Sequence, residues 1–190
     1  NRTKKAEKGF LKSLNRTLAG ETMLMNYFYA MNNGWLALSP PFAGDVMHIP
    51  MSEGEVWHVF SGGYIGSSPG LSQSTRFQGL KKGMLSRERA FILSISAEDE
   101  DGDLFIGANG SFLEWNLQPE QILNVDNGHL VAMSGSVHMD IKRVGGWKAT
   151  MFSGEGVVCQ LTGPGKVIIQ SRNPQEFANW MYRLMPHPSK

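Results

Sequence analysis

Five histidines are the side chains of this sequence best suited to proton transfer or metal binding. They are His48, His58, His129, His138 and His187. A metal site inside a β-barrel typically needs a His-x-His pair with a later glutamate and histidine, and no His-x-His pair occurs here. We therefore predict that these histidines lie on the surface or form ordinary hydrogen bonds, and we predict no bound metal.

Nucleophilic chemistry lacks its usual sequence context. No Gly-x-Ser-x-Gly elbow occurs, and the single cysteine, Cys159, lies in an alternating strand-like run rather than at a turn or helix start. The glycine pairs Gly62-Gly63 and Gly145-Gly146 lack the spacing of a phosphate loop and the lysine that follows it. We therefore predict no catalytic residue and no cofactor. An enzyme with an unrecognised pocket remains an alternative.

Two basic stretches are the candidate binding residues. The first comprises Arg76, Lys81, Lys82, Arg87 and Arg89, and the second comprises Lys142, Arg143 and Lys148. Eighteen basic and seventeen acidic residues give a net charge of only +1, so any charged site must be local. An acidic protein surface is the first candidate partner, and RNA or lipid phosphates are the second. A simply solvated face is the plain alternative.

The composition favours many short strands. Of 190 residues, 41% are hydrophobic and only 18% charged, while 22 glycines and 9 prolines supply turns. This length and apolar content suit one all-β domain with a sizeable core. No apolar run approaches the ~18 residues of a membrane span, so we expect a protein that is soluble or at most peripheral to a membrane.

An internal repeat is the main signal for the fold. Glu21, Glu88 and Glu155 are equally spaced along the chain, at a constant offset of 67. A strand-like run, a glycine-containing turn and a second strand follow each one, which predicts three hairpins. The first strands are 23–29, 90–96 and 157–162, and the returning strands are 35–38, 104–106 and 167–169. Equal residues at separated repeat positions favour a role in turns for these glutamates over acid catalysis.

A second repeated unit links the hairpins. The segments beginning at Gly44 and Gly110 match with an offset of 66, and Val59 matches Val125 at the same offset. Leu71 likewise matches Val137. Three hairpins with two linking units predict a pseudo-threefold repeat, and we expect that the chain begins inside its first copy.

The two ends differ from the repeat. Asn173, Pro174 and Glu176 form a helix-start pattern, and apolar residues then recur at helical spacing. We predict a short helix over 173–185 that packs on a sheet edge, and a repeat-built domain over 17–172. Residues 1–16 form a basic segment that is either a linker or an amphipathic helix.

The ordered motifs resemble a known family. They are Arg76–Gly79, Val125–His129, Asp140–Gly146, Phe152–Gly156 and Gly163–Pro174. Over residues 17–180 they resemble the mitochondrial-biogenesis family called "altered inheritance of mitochondria, twenty-four". This resemblance implies a double-stranded β-helix or β-sandwich of the tryptophan RNA-binding attenuation protein-like kind. It implies a mitochondrial protein linked to inner-membrane organisation in eukaryotes and a cytoplasmic protein in prokaryotes, without catalytic residues.

The functional prediction is a non-catalytic scaffold or accessory subunit of a larger, organellar, membrane-associated assembly. We expect its partners to be other proteins, with a homo-oligomer as an alternative because open strand edges invite pairing. A nucleic-acid-binding ring is the rival function, suggested by the implied fold and the basic stretches alone.

Overall fold

The computed structural model describes residues 25–60, 62–76, 92–143 and 157–185. The chain divides into two compact units, residues 1–37 and 38–190. In the first unit, residues 25–37 form neither strand nor helix, and nearly all are exposed. The predicted first hairpin is therefore wrong over its described residues. Its aromatic residues suit a strand, but a strand also needs a pairing partner, and no described strand pairs with it.

The second unit contains twelve strands, one α-helix and one short 3-10 helix, Asn127–His129, in its described part. The strands are β1 Val46–Met51, β2 Val56–Phe60, β3 Tyr64–Ser67, β4 Ser72–Arg76, β5 Ile92–Ser96, β6 Gly102–Gly107, β7 Phe112–Leu117, β8 Ile122–Asp126, β9 Leu130–Ser134, β10 His138–Arg143, β11 Val157–Thr162 and β12 Gly165–Gln170. The α-helix is α1, Pro174–Leu184. The all-β prediction with a short C-terminal helix is confirmed.

The strands form three sheets, and all neighbouring strands in them are antiparallel. Two sheets have three strands, in the orders β1-β6-β3 and β10-β11-β8. The third has six strands in the order β4-β5-β2-β9-β12-β7.

A unit of six strands occurs twice, as β1–β6 and as β7–β12. The order β1-β6-β3 of the first copy is repeated as β7-β12-β9, and β4-β5-β2 is repeated as β10-β11-β8. The register repeats as well, because Val46 pairs with Gly107 as Phe112 pairs with Gln170. Irregular pairing interrupts β3 and β9 at matching places. The offset of 66 is confirmed from β1 to β5 against β7 to β11, and it becomes 63 between β6 and β12. The pseudo-threefold repeat is not confirmed.

The predicted second and third hairpins contain the right strands but the wrong pairing. β5 pairs with β2 and β4, whereas β6 pairs with β1 and β3. In the same way, β11 and β12 lie in different sheets. Turn residues show that the chain reverses direction, but they do not determine which sheet the next strand joins. Each of these turns is a crossing between two sheets.

The two copies are joined where β2 pairs with β9. Trp57, His58 and Val59 lie opposite Ser134, Met133 and Ala132. The Gly135 N–H donates to the Val56 carbonyl oxygen at 2.7 Å and extends this junction. Pairing through β2 and β9 merges half of each copy into the six-stranded sheet.

Buried apolar side chains fill both copies. In the second, a core cluster includes Leu117, Val125, Leu161 and Val167, and Phe60 and Ile92 of the first copy also belong to it. In the first, the buried set includes Met51, Val59, Ile95, Leu104 and Ile106. Each such side chain is worth about 1.5–3 kcal/mol when removed from water, so burial of this kind dominates the stability of the fold.

The starts of the two copies touch at two glycines. Gly44 and Gly110, which match each other in the repeat, form a parallel bridge. The Asp45 N–H donates to the Gly110 carbonyl oxygen at 2.9 Å. A Cβ atom at Gly44 would collide with the Ala108 carbonyl oxygen, so this contact requires glycine.

The helix α1 begins as predicted. The Asn173 side chain accepts hydrogen bonds from the backbone N–H groups of Gln175 and Glu176, and Pro174 occupies the first turn. No residue of α1 is buried, so the expected burial of its apolar face on a sheet edge is not observed. Residues 1–16 and the repeated Glu21, Glu88 and Glu155 lie outside the described residues.

Candidate functional site

The basic residues predicted to bind partners lie mostly outside the described part of the chain. This holds for Lys81, Lys82, Arg87, Arg89 and Lys148. Of the others, Arg76 ends β4, Lys142 and Arg143 end β10, and the Lys142 side chain is exposed. Arg76 and Lys142 hold equivalent positions of the two copies, because Arg76 pairs with Ile92 as Lys142 pairs with Val158. They lie on edge strands of two different sheets, so the described structure does not join them into one site.

The described histidines make separate contacts. His48 Nε2 lies 2.7 Å from Asp103 Oδ1, and the His48 ring stacks on Phe105 with 5.0 Å between ring centroids. His129 Nδ1 lies 2.7 Å from the Gln170 carbonyl oxygen, a contact that fixes the short turn between β8 and β9. Among the residues that the structure describes, no group of three or more His, Cys, Asp or Glu side chains is placed to hold a metal ion.

Cys159 lies in the core of the second copy. Its side chain is fully buried in β11, and its thiol faces Asn127 Oδ1 at 3.6 Å. Burial, with a smaller contribution from the charge of Asp126, raises the pKa of the Cys159 thiol from 9.0 to about 11. A buried neutral thiol is a poor nucleophile, as the alternating sequence around it indicated.

A groove of about 930 Å³ runs across the junction of the two copies. Its lining comes from both copies and includes Trp57 and His58 of β2, Glu114 of β7 and Lys166 of β12. Lys166 Nζ lies 3.3 Å from Glu114 Oε2, and both side chains are nearly half exposed. Such an exposed pair contributes little binding energy by itself.

The repeat explains this pair. Glu114 is the counterpart of His48 in the second copy, and the Glu114–Lys166 pair joins β7 to β12 as the His48–Asp103 pair joins β1 to β6. Both pairs lie diagonally across two neighbouring strands. They are therefore repeated surface contacts of the six-stranded unit. The acidic residue lies on the last strand of the first copy, β6, but on the first strand of the second copy, β7.

Exposed apolar side chains form the clearest candidate binding surface of the described chain. On α1, Phe177 and Trp180 stack with 5.8 Å between ring centroids, and Trp180 is 57% exposed. Met181 and Leu184 continue this stripe at helical spacing, with exposures of 39% and 66%. We call these four residues the α1 apolar stripe. A contiguous uncovered apolar stripe that contains tryptophan is typical of a surface that binds a partner.

The sequence predicted open strand edges but did not identify the strands that carry them. Among described strands, β3 pairs only with β6 and β8 pairs only with β11. Their counterparts in the other copy, β9 and β2, pair with each other. Extending the offset of 66 from single residues to every strand would have revealed this correspondence.

No helix in the described part of the chain has the length and apolar character needed to cross a bilayer.

Comparisons with known proteins agree with this architecture. A crystal structure of a Streptococcus pyogenes protein superposes with a TM-score of 0.65 at 23% identity, covering 77% of this chain and 63% of that one. This chain thus spans less than two thirds of the solved protein. An uncharacterized protein of Streptococcus pyogenes serotype M6 is 25% identical over 172 residues, which are 90% of this chain and 68% of the relative. The family model described as mitochondrial biogenesis AIM24 matches residues 1–172. The chain belongs to the mitochondrial biogenesis AIM24 family.

Proposed function

We propose that this chain is a non-catalytic scaffold or accessory subunit that binds other proteins in a larger, membrane-associated assembly. The observation that carries this proposal is the α1 apolar stripe, because Phe177, Trp180, Met181 and Leu184 are all at least 38% exposed. Covering these side chains removes apolar surface from water, and tryptophan is among the residues that contribute most to protein interfaces.

The basic stretches would act with the stripe. Lys142 is exposed at the edge of the β10-β11-β8 sheet, where it can meet an acidic surface of a partner. Charges at the rim of an interface act mainly on the association rate and on its salt dependence. The stripe therefore supplies most of the affinity, and the basic residues orient the partner.

The family name supports an organellar setting in eukaryotes, the mitochondrion first. The two similar proteins come from a bacterium, and for a prokaryotic member the proposed compartment is the cytoplasm.

A matched pair of helix variants tests the binding surface. Trp180→Glu places a charge in the stripe, whereas Asn179→Glu adds the same charge at an adjacent exposed position of α1 outside it. After mild crosslinking and purification from the native source, Trp180→Glu should lose at least 90% of each partner that the unmodified chain recovers. Asn179→Glu should keep them. Both variants should melt within a few degrees of the unmodified chain, because neither position is buried.

Charge reversal at Lys81, Lys82, Lys142 and Arg143 tests the basic stretches separately. The reversed variant should recover partners more slowly, with the difference disappearing at high salt. If the unmodified chain recovers no protein partner, or if Trp180→Glu recovers all of them, the proposed function is wrong. Steeply salt-dependent retention of RNA in place of protein would establish the rival nucleic-acid function.

A further inference from the structure

The open strands β3 and β8 are equivalent to β9 and β2, the two strands that pair with each other at the junction inside the chain. Within the chain, β2 of the first copy pairs with β9 of the second. The counterpart of β2 is β8, and the counterpart of β9 is β3. Among the strands that the structure describes, one open edge of each kind therefore remains, and the two kinds match each other as β2 matches β9.

Backbone N–H and C=O groups on both open strands point away from their own sheets, where a second strand could bind them. On β8, the Gly163 N–H of the neighbouring segment donates to the Gln121 carbonyl oxygen at 3.0 Å. Backbone groups alternate sides along an antiparallel strand, so those of Asn124 point to the open edge. On β3, the Ser68 N–H donates to the Asp103 carbonyl oxygen at 2.9 Å, so those of Ser67 point to the open edge.

The internal junction fixes the register of the proposed contact. There His58 lies opposite Met133. Asn124 holds the place of His58 in the second copy, and Ser67 holds the place of Met133 in the first. The same register therefore puts Asn124 opposite Ser67, Leu123 opposite Ser68 and Val125 opposite Gly66.

We propose that a second copy of this chain adds its β3 edge to the β8 edge in this register, as a head-to-tail contact between identical molecules. The occupant is a second copy because the chain itself supplies both complementary edges, and because the contact continues an interface present inside it. The contact also covers part of Ile122, an apolar side chain at the start of β8 that is 56% exposed.

The residues at this contact predict reversible association. Polar Asn124 and Ser67 stand where the internal junction has His58 and the buried Met133. Pro69 occupies the place of Gly135 and cannot donate the corresponding hydrogen bond. The contact between chains should therefore be weaker than the junction within a chain. A head-to-tail contact of this kind closes into a ring or extends as a filament.

Proline substitution tests the outward hydrogen bonds of this edge separately from the hydrogen bonds within its own sheet. Asn124→Pro removes the N–H that faces the second copy and leaves the backbone bonds of β8 to β11. It also removes the exposed side-chain hydrogen bond from Gln160 Nε2 to Asn124 Oδ1 at 3.3 Å. Asn116→Pro is the matched control on the outer edge of β7. Its N–H also faces away from its partner strand, because the Ser171 N–H donates to the Ser111 carbonyl oxygen at 2.9 Å. Circular dichroism verifies that both variants are folded.

Light scattering after size-exclusion chromatography gives the outcome. The unmodified chain should show a mass that rises with concentration from 21.0 kDa to at least twice that value. Asn116→Pro should behave identically, and Asn124→Pro should require at least tenfold higher concentration to associate. A mass that stays at the monomer value at every concentration, or equal association of both proline variants, overturns the proposal.

Disulfide trapping tests the register even if Asn124→Pro does not fold. Chains carrying Ser68→Cys and chains carrying Leu123→Cys are mixed and oxidised. These positions form a non-hydrogen-bonded pair in the proposed register, with Cα atoms about 4.5 Å apart. A disulfide between the two chains should form at least tenfold faster than between Ser68→Cys and Asn116→Cys chains, and equal rates refute the register. This contact joins identical chains, so its failure leaves the proposed binding of other proteins untouched, and the reverse also holds.

Discussion

The junction strands β9 and β2 occupy the same places in their copies as the open strands β3 and β8, but several of their residues are more buried. Met133 and Ala132 of β9 are at most 1% exposed, whereas Ser67 and Gly66 at the same places of β3 are only partly buried. Trp57 of β2 is 7% exposed, and Leu123 in its place on β8 is only partly buried. Because the strand order within each copy is the same, the lower exposure at these positions of β2 and β9 coincides with the pairing of the two copies. Val59 and Val125, in contrast, are buried in both.

Substitution at the junction should show the largest effect. Met133→Ala leaves a cavity at a fully buried position and should lower the free energy of unfolding by about 2–5 kcal/mol. Ser67→Ala at the matching place should cost only about 1–2 kcal/mol, through loss of the hydrogen bonds of Ser67 Oγ with Gln73 Nε2 at 2.8 Å and with Tyr64 Oη at 3.0 Å. Urea denaturation monitored by tryptophan fluorescence measures both. Equal costs would contradict the difference in burial.

The second effect concerns pH and distinguishes the two copies through Cys159. Its counterpart in the first copy is Leu93, which is equally buried but does not ionise. Because burial raises the pKa of the Cys159 thiol from 9.0 to about 11, the unfolded chain loses this proton first as pH rises. The protonated thiol therefore stabilises the folded chain fully below pH 9.0, and this stabilisation is lost as the pH rises to about 11. The loss lowers the free energy of unfolding by about 2–3 kcal/mol.

Cys159→Ala is the control for this pH dependence. Its free energy of unfolding should be lower throughout, but it should fall less steeply than that of the unmodified chain between pH 9.0 and about pH 11. Parallel pH curves for the two proteins would show that the thiol is not buried as described.

A smaller effect is expected at the helix cap. Asn173→Ala removes the side-chain oxygen that accepts from Gln175 and Glu176 N–H, at a cost of about 1 kcal/mol. Asn173→Ala also removes the 3.3 Å hydrogen bond from Asn173 Nδ2 to Asp126 Oδ1 at the end of β8. Because this is a single side-chain contact and no residue of α1 is buried, the loss should appear mainly as reduced helical circular dichroism, with a small change in the melting of the sheets. A large drop in sheet stability would show that α1 packs more tightly than its exposure indicates.

The smallest effect should be seen at the two repeated side-chain pairs, His48–Asp103 and Glu114–Lys166. Asp103→Asn and Lys166→Gln each break one pair at a surface where the side chains are about half exposed. Each should change the free energy of unfolding by less than about 1 kcal/mol, as is usual for exposed pairs. A loss well above that range at one site alone would show that the copies differ there.

Sequence reasoning predicted much of the local structure of this protein. Residue composition located the strands around Cys159 and Ile95, and the pattern at Asn173 and Pro174 located the start of α1. The offset of 66 predicted that Val59 and Val125 are equivalent, and both are buried in matching strands. These features depend on local periodicity and on turn chemistry, which the sequence displays directly.

Strand pairing could not be predicted in the same way. The turn between β5 and β6 looks like a hairpin turn, yet the two strands join different sheets, because the pairing partners of β5 include a strand that is distant in sequence. For the candidate site, the basic residues were found as charges in the sequence, but only Lys142 has a described side chain. The exposure of the α1 apolar stripe was also missed, since helical periodicity predicts an apolar face without showing what covers it.

Amide hydrogen exchange at four residues tests the equivalence of the internal and open junctions most directly. Backbone N–H groups of His58 and Met133 face each other inside the chain, so they should exchange slowly at every protein concentration. Those of Asn124 and Ser67 should exchange slowly at concentrations where the chain associates and at least tenfold faster on dilution to 21.0 kDa monomers. If all four amides stay slow on dilution, or if Asn124 and Ser67 exchange rapidly within an intact oligomer, the equivalence of the two junctions is wrong.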